Sequence, residues 1–189
     1  ATQRIEIRSN NTVINNGTVT LKRITGAIAT TSIWINAANA VLNISSDLLT
    51  TGTLTARASG NTINYNGSNA QTIKTATYYH LILSNANTKT AGGALTVNGN
   101  FTISGTATIN AGTSLTHSFL GNWIINTTAA TPFTYTTAST INFDTPGTPA
   151  ATSLSGNSSA AIGFNNVNLN NSSGFSSFLN FNITGTLTI

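Results

Sequence analysis

The chain has 189 residues, of which 5% are charged and 39% are hydrophobic, and it contains neither Cys nor Met. An ordinary soluble domain carries about 25% charged residues, whereas here Thr, Asn and Ser make up more than two-fifths of the chain. Disulfides and thiolate metal sites are therefore excluded. No apolar run approaches the roughly 20 residues that a spanning helix needs, so we expect no membrane insertion.

Positive charge is confined to the first half of the chain, since no Lys or Arg follows Lys89. The only adjacent cations are Lys22 and Arg23. A nucleic-acid site needs several clustered cations to neutralise phosphates. We therefore expect no nucleic-acid partner.

Short runs that alternate an apolar residue with Thr or Asn recur along the chain, bounded by Asn, Gly or Ser. This alternation is typical of strands with one face in a core and one face in water. The i, i+3, i+4 stripe of an amphipathic helix is missing. The clearest runs predict strands over residues 18–21, 62–65, 81–83, 95–97, 101–103, 140–143 and 187–189.

Internal repetition is the main organisational feature. A Gly-x-Leu/Phe-Thr phrase begins at Gly52, Gly99 and Gly185, and a Thr-Ile-Asn-aromatic phrase begins at Thr62 and Thr140. The order of the phrases suggests approximate copies over 62–103 and 140–189, the second with an insertion around Pro146 to Ser155. We interpret residues 1–189 as a single repetitive region of a longer chain.

These features favour an all-β fold, a parallel β-helix or β-solenoid in which Asn and Thr stack in register between turns. Tandem antiparallel β-sandwiches explain the alternation equally well. Sandwiches explain less well the scarcity of large aromatic residues. Only Trp34 and Trp123 are expected to be available for a core. The absence of disulfides also suits turns that support one another.

An ordered series of phrases carries a resemblance to a known group of proteins. The series comprises TINYNGSNAQTI at 62–73, YYHLILS at 78–84, LTVNGNFTI at 95–103, GNWIIN at 121–126 and TINF at 140–143. It resembles the β-strand repeats of large Bacteroidetes cell-surface proteins, which include gliding-motility adhesins and other cargo of type IX secretion. The resemblance covers most of residues 55–189.

Two departures from the family pattern stand out. His80 occupies a position where the family usually has Asn, and Ala151 to Ser159 replace the expected Gln-Thr-Ile phrase. The resemblance implies an extracellular, solenoid-like adhesive shaft at the cell surface, and it implies no catalytic residue.

Catalytic constellations are missing from the sequence. The three carboxylates, Glu6, Asp47 and Asp144, lie far apart, whereas acid–base catalysis needs a pair of them or a carboxylate beside a cation. His80 and His117 have no Gly-x-Ser-x-Gly partner motif. We therefore expect no enzyme activity, no cofactor and no metal site, beyond a weak calcium contact conceivable at Asp47 or Asp144.

Four aromatic residues are candidates for surface contact: Trp34, Tyr78, Tyr79 and Trp123. Exposed rings can form a platform on which a carbohydrate stacks. The alternative is that the same rings fill the end or the corner of a core.

The leading functional hypothesis is a structural and adhesive shaft of a secreted cell-surface protein, with extracellular surfaces, glycans or other cell-surface proteins as partners. One alternative is a filament subunit that assembles with further copies by strand exchange. Another is a glycan- or ice-binding solenoid, suggested by repeated Thr-x-Thr motifs whose side chains share one strand face.

Overall fold

The structure, a computed structural model, describes residues 3–135, 137–144, 152–160 and 162–189. These residues form 24 strands, numbered β1 to β24 in chain order, and no helix. Every strand pairing in this part of the chain is parallel. The fold is therefore a β-solenoid of about eight turns, as the sequence predicts, and the antiparallel sandwich is wrong.

Each turn passes through three faces. Face 1 contains β2 (Asn11–Asn15), β5 (Ser32–Asn36), β7 (Thr53–Thr55), β10 (Thr77–Tyr78), β13 (Thr96–Val97), β15 (Thr116–Phe119), β18 (Thr140–Asp144), β21 (Asn166–Asn170) and β24 (Leu187–Thr188). Face 2 contains β3 (Thr18–Leu21), β6 (Val41–Ile44), β8 (Thr62–Tyr65), β11 (His80–Leu83), the first half of β14 (Phe101–Asn110), β16 (Trp123–Thr127), β19 (Thr152–Gly156) and β22 (Phe175–Ser177).

Face 3 contains β1 (Arg4–Ile7), β4 (Arg23–Gly26), β9 (Gln71–Ile73), β12 (Ala86–Ala91), the second half of β14, β17 (Phe133–Thr134), β20 (Ile162–Phe164) and β23 (Phe181–Ile183). Faces 1 and 2 run through the stack, whereas face 3 consists of three shorter ladders. With about 4.8 Å between neighbouring strands, eight turns extend for roughly 38 Å.

The length of a turn varies along the chain. Register partners on face 2 are 18 residues apart at Thr62 and His80 but 31 apart at Trp123 and Leu154. The longest turn has its extra residues between β18 and β19, where the sequence places the insertion at Pro146 to Ser155. Residues 145–151, which include part of that insertion, lie outside the described residues.

The two sequence copies are not equivalent in the structure. Thr62, which begins the first copy, lies on face 2, whereas Thr140, which begins the second, lies on face 1. The copies at 62–103 and 140–189 therefore start at different positions around the coil. The single turn, rather than the long sequence repeat, is the structural unit.

Columns of buried side chains fill the space between the faces, because register partners on parallel strands point the same way. One column on face 2 runs through Leu42, Ile63, Leu81, Phe101, Trp123 and Leu154, all of which are buried. A buried apolar column of this kind removes apolar surface from water in every turn.

Aromatic rings dominate the C-terminal half of this core. Trp123 lies 4.7 to 5.6 Å, between ring centroids, from five rings: Phe101, Phe119, Phe133, Phe143 and Phe164. The expectation that large aromatics are scarce in the core is wrong, because the Phe residues that sequence reasoning left out are buried here.

Polar side chains also enter the core where they can bond to the neighbouring turn. Asn15 and Asn36 are register partners on face 1, and Asn15 Nδ2 donates to Asn36 Oδ1 at 2.7 Å. Asn36 Nδ2 in turn donates to the Ala40 carbonyl at 2.9 Å. The Asn ladder predicted from composition is therefore present, and part of it lies inside the solenoid.

Replacing Trp123 by Ala should lower the free energy of unfolding by about 3–5 kcal/mol, because the cavity opens at the centre of five rings. Guanidinium denaturation followed by circular dichroism measures the effect. Phe178→Ala is the control, since Phe178 is 76% exposed and should change stability little. Equal losses of unfolding free energy in the two variants would contradict the packing of Trp123 against these rings.

The inner Asn ladder should contribute more to the free energy of unfolding than the outer one. Asn36→Ala leaves buried hydrogen-bonding groups without partners and should cost about 1–3 kcal/mol. Asn64→Ala, on the outer side of face 2, should cost less than about 1 kcal/mol because water can replace its bonds. The same denaturation experiment compares them, and a larger loss for Asn64→Ala would refute the distinction.

Candidate functional surfaces

Three of the four candidate surface aromatics lie inside the solenoid. Trp34, Tyr78 and Trp123 are each at most 1% exposed, so the prediction that they form an exposed platform is wrong for them. Their outward neighbours in the chain are Thr, Tyr, Asn or Ile, so the alternation along the chain turns the three buried rings inward. Tyr79 alone is partly exposed, with its ring edge-on to His80 at a centroid distance of 4.7 Å.

Tyr78 belongs to a buried hydrogen-bond ring. The Lys74 N–H donates to the Tyr65 hydroxyl at 2.8 Å, and the Tyr78 hydroxyl donates to the Lys74 carbonyl. The remaining hydroxyl contact, 3.3 Å long, then has Tyr65 as donor to Tyr78. Burial raises the pKa of Tyr65 to about 12 and raises that of Tyr78 as well. Both rings therefore anchor the backbone at Lys74 in their neutral form.

Uncharged polar side chains form rows on the outer surface, along the solenoid axis. On face 2, Asn43 donates to Thr20 at 3.3 Å, and Asn64 donates to Asn43 at 3.0 Å. On face 1, Asn168 donates to Asn142 at 2.8 Å. These rows expose amides and hydroxyls that bond to one another across turns and leave other donor and acceptor positions facing outward.

A shallow depression interrupts the outer surface of face 2. It has a volume of about 200 Å³ and is lined by Thr62, His80, Ile82, Asn100 and Thr102. Its lining combines hydroxyl and amide groups with one apolar side chain and one imidazole. This composition can hydrogen-bond a sugar or amide group while covering an apolar patch.

The Thr-x-Thr motifs lie on different faces. Among the described motifs, Thr18/Thr20 are on face 2, Thr53/Thr55 and Thr186/Thr188 lie at face 1, and Thr88/Thr90 and Thr106/Thr108 are on face 3. There, the Thr108 and Thr88 hydroxyls are 3.0 Å apart. Thr136, from the motif at 134 and 136, lies outside the described residues. The described motifs therefore do not form one plane of Thr side chains.

The ionisable groups are dispersed. Asp47 pairs with Arg23 at 3.1 Å, and both side chains are nearly half exposed, so this is a surface ion pair. Within the described ranges no three His, Cys, Asp or Glu side chains come together as metal ligands. The side chain of Asp144 lies outside the described part. No helix in the described residues is long and apolar enough to cross a membrane.

Lys89 occupies an unexpected position, since its side chain is fully buried on face 3. Its Nζ donates to the carbonyls of Gly67, Asn69 and Ala86 at 2.7, 3.1 and 2.9 Å, which uses all three ammonium protons. Burial lowers the pKa of Lys89 to about 8. The sequence shows only a Lys between two Thr residues, and that pattern normally indicates an exposed strand position.

Both histidines bond to the backbone of a neighbouring turn. The Leu95 N–H donates to His117 Nδ1 at 3.1 Å, and the Asn100 N–H donates to His80 Nδ1 at 2.9 Å. Since Nδ1 of His117 accepts, its Nε2 carries the proton and donates to the Ala111 carbonyl at 2.8 Å. These contacts give the imidazoles a structural role in their neutral form.

No protein-family model, curated protein or solved structure matches this chain.

Stability should decrease as pH falls through about 6.5, the pKa of an unfolded histidine. Burial lowers the pKa of His117 and of His80, so between their folded and unfolded pKa values the unfolded chain binds more protons. The stabilisation is therefore complete above pH 6.5 and is lost progressively below it. Urea denaturation between about pH 7 and pH 5, where Lys89 with its pKa of about 8 stays protonated, measures the change.

The double variant His80→Asn/His117→Asn should remove most of this pH dependence, because Lys89 remains protonated between about pH 7 and pH 5 and the chain has only three carboxylates. A pH profile identical to that of the unmodified chain would show that other groups cause the change.

Proposed function

We propose that the chain is a structural and adhesive shaft segment of a secreted cell-surface protein and that it performs no catalysis. The observation that carries the proposal is the combination of parallel ladders along one axis with rows of uncharged amides and hydroxyls on the outside. Ladders of this kind distribute tension over many backbone hydrogen bonds. The outer rows provide many weak hydrogen-bonding contacts without a specific pocket.

The low charge of the surface supports adhesion to varied materials. Hydrogen-bonding contacts between uncharged groups depend little on ionic strength, whereas contacts between exposed charges are screened by salt. With 5% charged residues, the chain has few groups that salt can screen. We therefore place its partners among extracellular surfaces and glycans.

The resemblance to Bacteroidetes adhesin repeats supports an extracellular location, gliding motility and type IX secretion as the biological setting. Its phrases at 62–65, 101–103 and 140–143 coincide with strands β8, β14 and β18. The setting and the secretion route remain parts of the proposal. Self-assembly by strand exchange and ice binding also remain predictions.

A glycan-binding role is a second candidate, and the depression on face 2 favours it. Ile82 provides an apolar contact for a sugar ring, and Thr62, Asn100 and Thr102 surround it with hydrogen-bonding groups. This site belongs to the same outward surface as the amide rows. Because the depression occupies only part of this surface, a substitution confined to it separates glycan binding there from adhesion through the amide rows.

Beads coated with the protein should adhere to mannan-coated glass more strongly than beads coated with an inert protein. Raising NaCl from about 0.15 M to about 1 M should change the detachment force little. Adhesion no stronger than that of the inert protein would refute the adhesive role, and loss of adhesion in high salt would indicate electrostatic contacts instead.

Thr102→Arg and Thr108→Arg form a matched pair for the glycan candidate, because both residues lie on β14, on faces 2 and 3 respectively. Thr102→Arg fills the depression and should reduce adhesion to mannan, while Thr108→Arg should not. Equal effects of the two substitutions would exclude the depression as the contact site.

A further inference from the structure

When turns are counted from β1, the ladder of face 3 is broken between the third and fourth turns. Residues 47–50 occupy face 3 in the third turn and pair with β4 through a bridge between Leu48 and Ile24. β9, in the fourth turn, pairs with β12 and with no other described strand. Within the described chain no backbone hydrogen bond joins residues 47–50 to β9. A groove of about 420 Å³ lies at this break.

The backbone of Leu48 faces the groove. The Ile24 N–H donates to the Asp47 carbonyl at 3.0 Å, and the Leu49 N–H donates to the Ile24 carbonyl at 2.8 Å, so both groups point towards β4. In a trans peptide the N–H lies opposite the preceding C=O, and the chain has no cis peptide in its described part. The Leu48 N–H and C=O therefore point away from β4, towards β9.

The backbone of Thr72 faces the groove from the other side. The Gly92 N–H donates to the Ile73 carbonyl at 3.0 Å, so the backbone N–H and C=O of Ile73 point towards the fifth turn. Successive residues of a strand direct their N–H and C=O to opposite edges. The Thr72 N–H and C=O therefore point back towards Leu48, and β9 presents an unpaired strand edge there.

The side chains around the groove combine an apolar floor with one unpaired charge. Leu48, Leu49 and Ile73 line it and are buried. Lys74 also lines it, partly buried, and forms no ion pair with any described acidic residue. Burial lowers the pKa of Lys74, which reflects the cost of keeping its charge without a partner.

The conformation at the break is itself unusual. Leu49 has a φ of 49°, in the left-handed region that a residue with a branched side chain seldom adopts. Such strain is commonly found where a backbone is held open for a ligand. Here it ends the extended segment after Leu48, at the point where residues 47–50 do not pair with β9.

We propose that this groove binds an extended peptide segment of a partner protein through backbone hydrogen bonds to Leu48 and Thr72, with an acidic side chain of that segment contacting Lys74. Addition of an extended segment to an open strand edge is a general mode of peptide recognition. The volume falls within the range of ligand sites. None of the described residues that line the groove is aromatic, which disfavours a stacked sugar.

This inference goes beyond the shaft role and does not depend on it, because a chain can adhere through its outer rows with the groove empty. It assigns a specific protein contact to the third and fourth turns. A carboxylate is the matching group because Lys74 is the unpaired charge at the groove, whereas Asp47 already pairs with Arg23.

Selection of phage-displayed random heptapeptides on the full chain tests the proposal. Enriched peptides should share an acidic residue within a segment of high β propensity and bind with micromolar affinity. Lys74→Gln should weaken their binding at least tenfold, whereas Lys22→Gln, which removes an exposed lysine that does not line the groove, should not. Equal binding to the chain and to Lys74→Gln would overturn the proposal.

Amide hydrogen exchange identifies the backbone contact directly. The Leu48 and Thr72 amides should exchange rapidly in the free protein and become protected when a selected peptide is added. Thr72→Pro removes the N–H that faces the groove and leaves the bonds of Gln71 and Ile73 to β12 in place, so it should abolish binding. Circular dichroism confirms that the variant is folded.

Other occupants give different results. If mannan or another glycan protects the Thr72 amide in the absence of peptide, the occupant of the groove is a sugar and the peptide proposal is wrong. Protection that grows with protein concentration and coincides with a dimer in sedimentation would assign the groove to a second copy. Absence of enriched peptides together with unchanged exchange at both amides would refute a binding site at this break.

Discussion

Parallel stacking of successive turns in register is the constraint on which the rest of the molecule depends. Each position lies beside its equivalent in the next turn, about 4.8 Å away, so every residue must be compatible with a neighbour 18 to 31 residues along the chain. Apolar positions become columns, as Leu81, Phe101 and Trp123 do on face 2. A substitution that disturbs the packing of one turn therefore also disturbs the packing of the turns on both sides.

The same constraint explains how polar groups are tolerated inside a narrow core. A buried Asn, His or Lys reaches the carbonyls or amides of the adjacent turn, because those groups lie at a fixed height above or below it. Asn36, Lys89 and His117 each use this geometry. Their buried polar atoms are therefore satisfied without water, and they tie one turn to the next.

Stacking also accounts for the scarcity of charge. Like charges at register positions would stand about 5 Å apart in every turn and repel one another. Where this happens, at Arg4 and Arg23, the carboxylate of Asp47 pairs with Arg23. Uncharged Thr, Asn and Ser avoid the repulsion and can bond along the column. The adhesive surface that we propose is thus a direct consequence of the stacking.

Local pattern in the sequence predicted seven of the 24 strands. Alternation of apolar residues with Thr or Asn located β3, β8, β11, β13, β14, β18 and β24, since each strand must bury one of its two faces. The abundance of Asn and Thr together with the missing charge also indicated a stacked, parallel solenoid. These features depend on residues within a few positions of one another, or on overall composition.

The tertiary structure alone decided which residues meet across turns. Turn lengths vary, so the sequence did not show that Phe119 and Phe143 surround Trp123, that carbonyls of the preceding turn enclose Lys89, or that β9 leaves an open edge opposite Leu48. The inward position of Trp34 and Tyr78 depended on the phase of each strand relative to the core. Register between distant segments is set by the packing of all the turns together, and local sequence carries too little information to specify it.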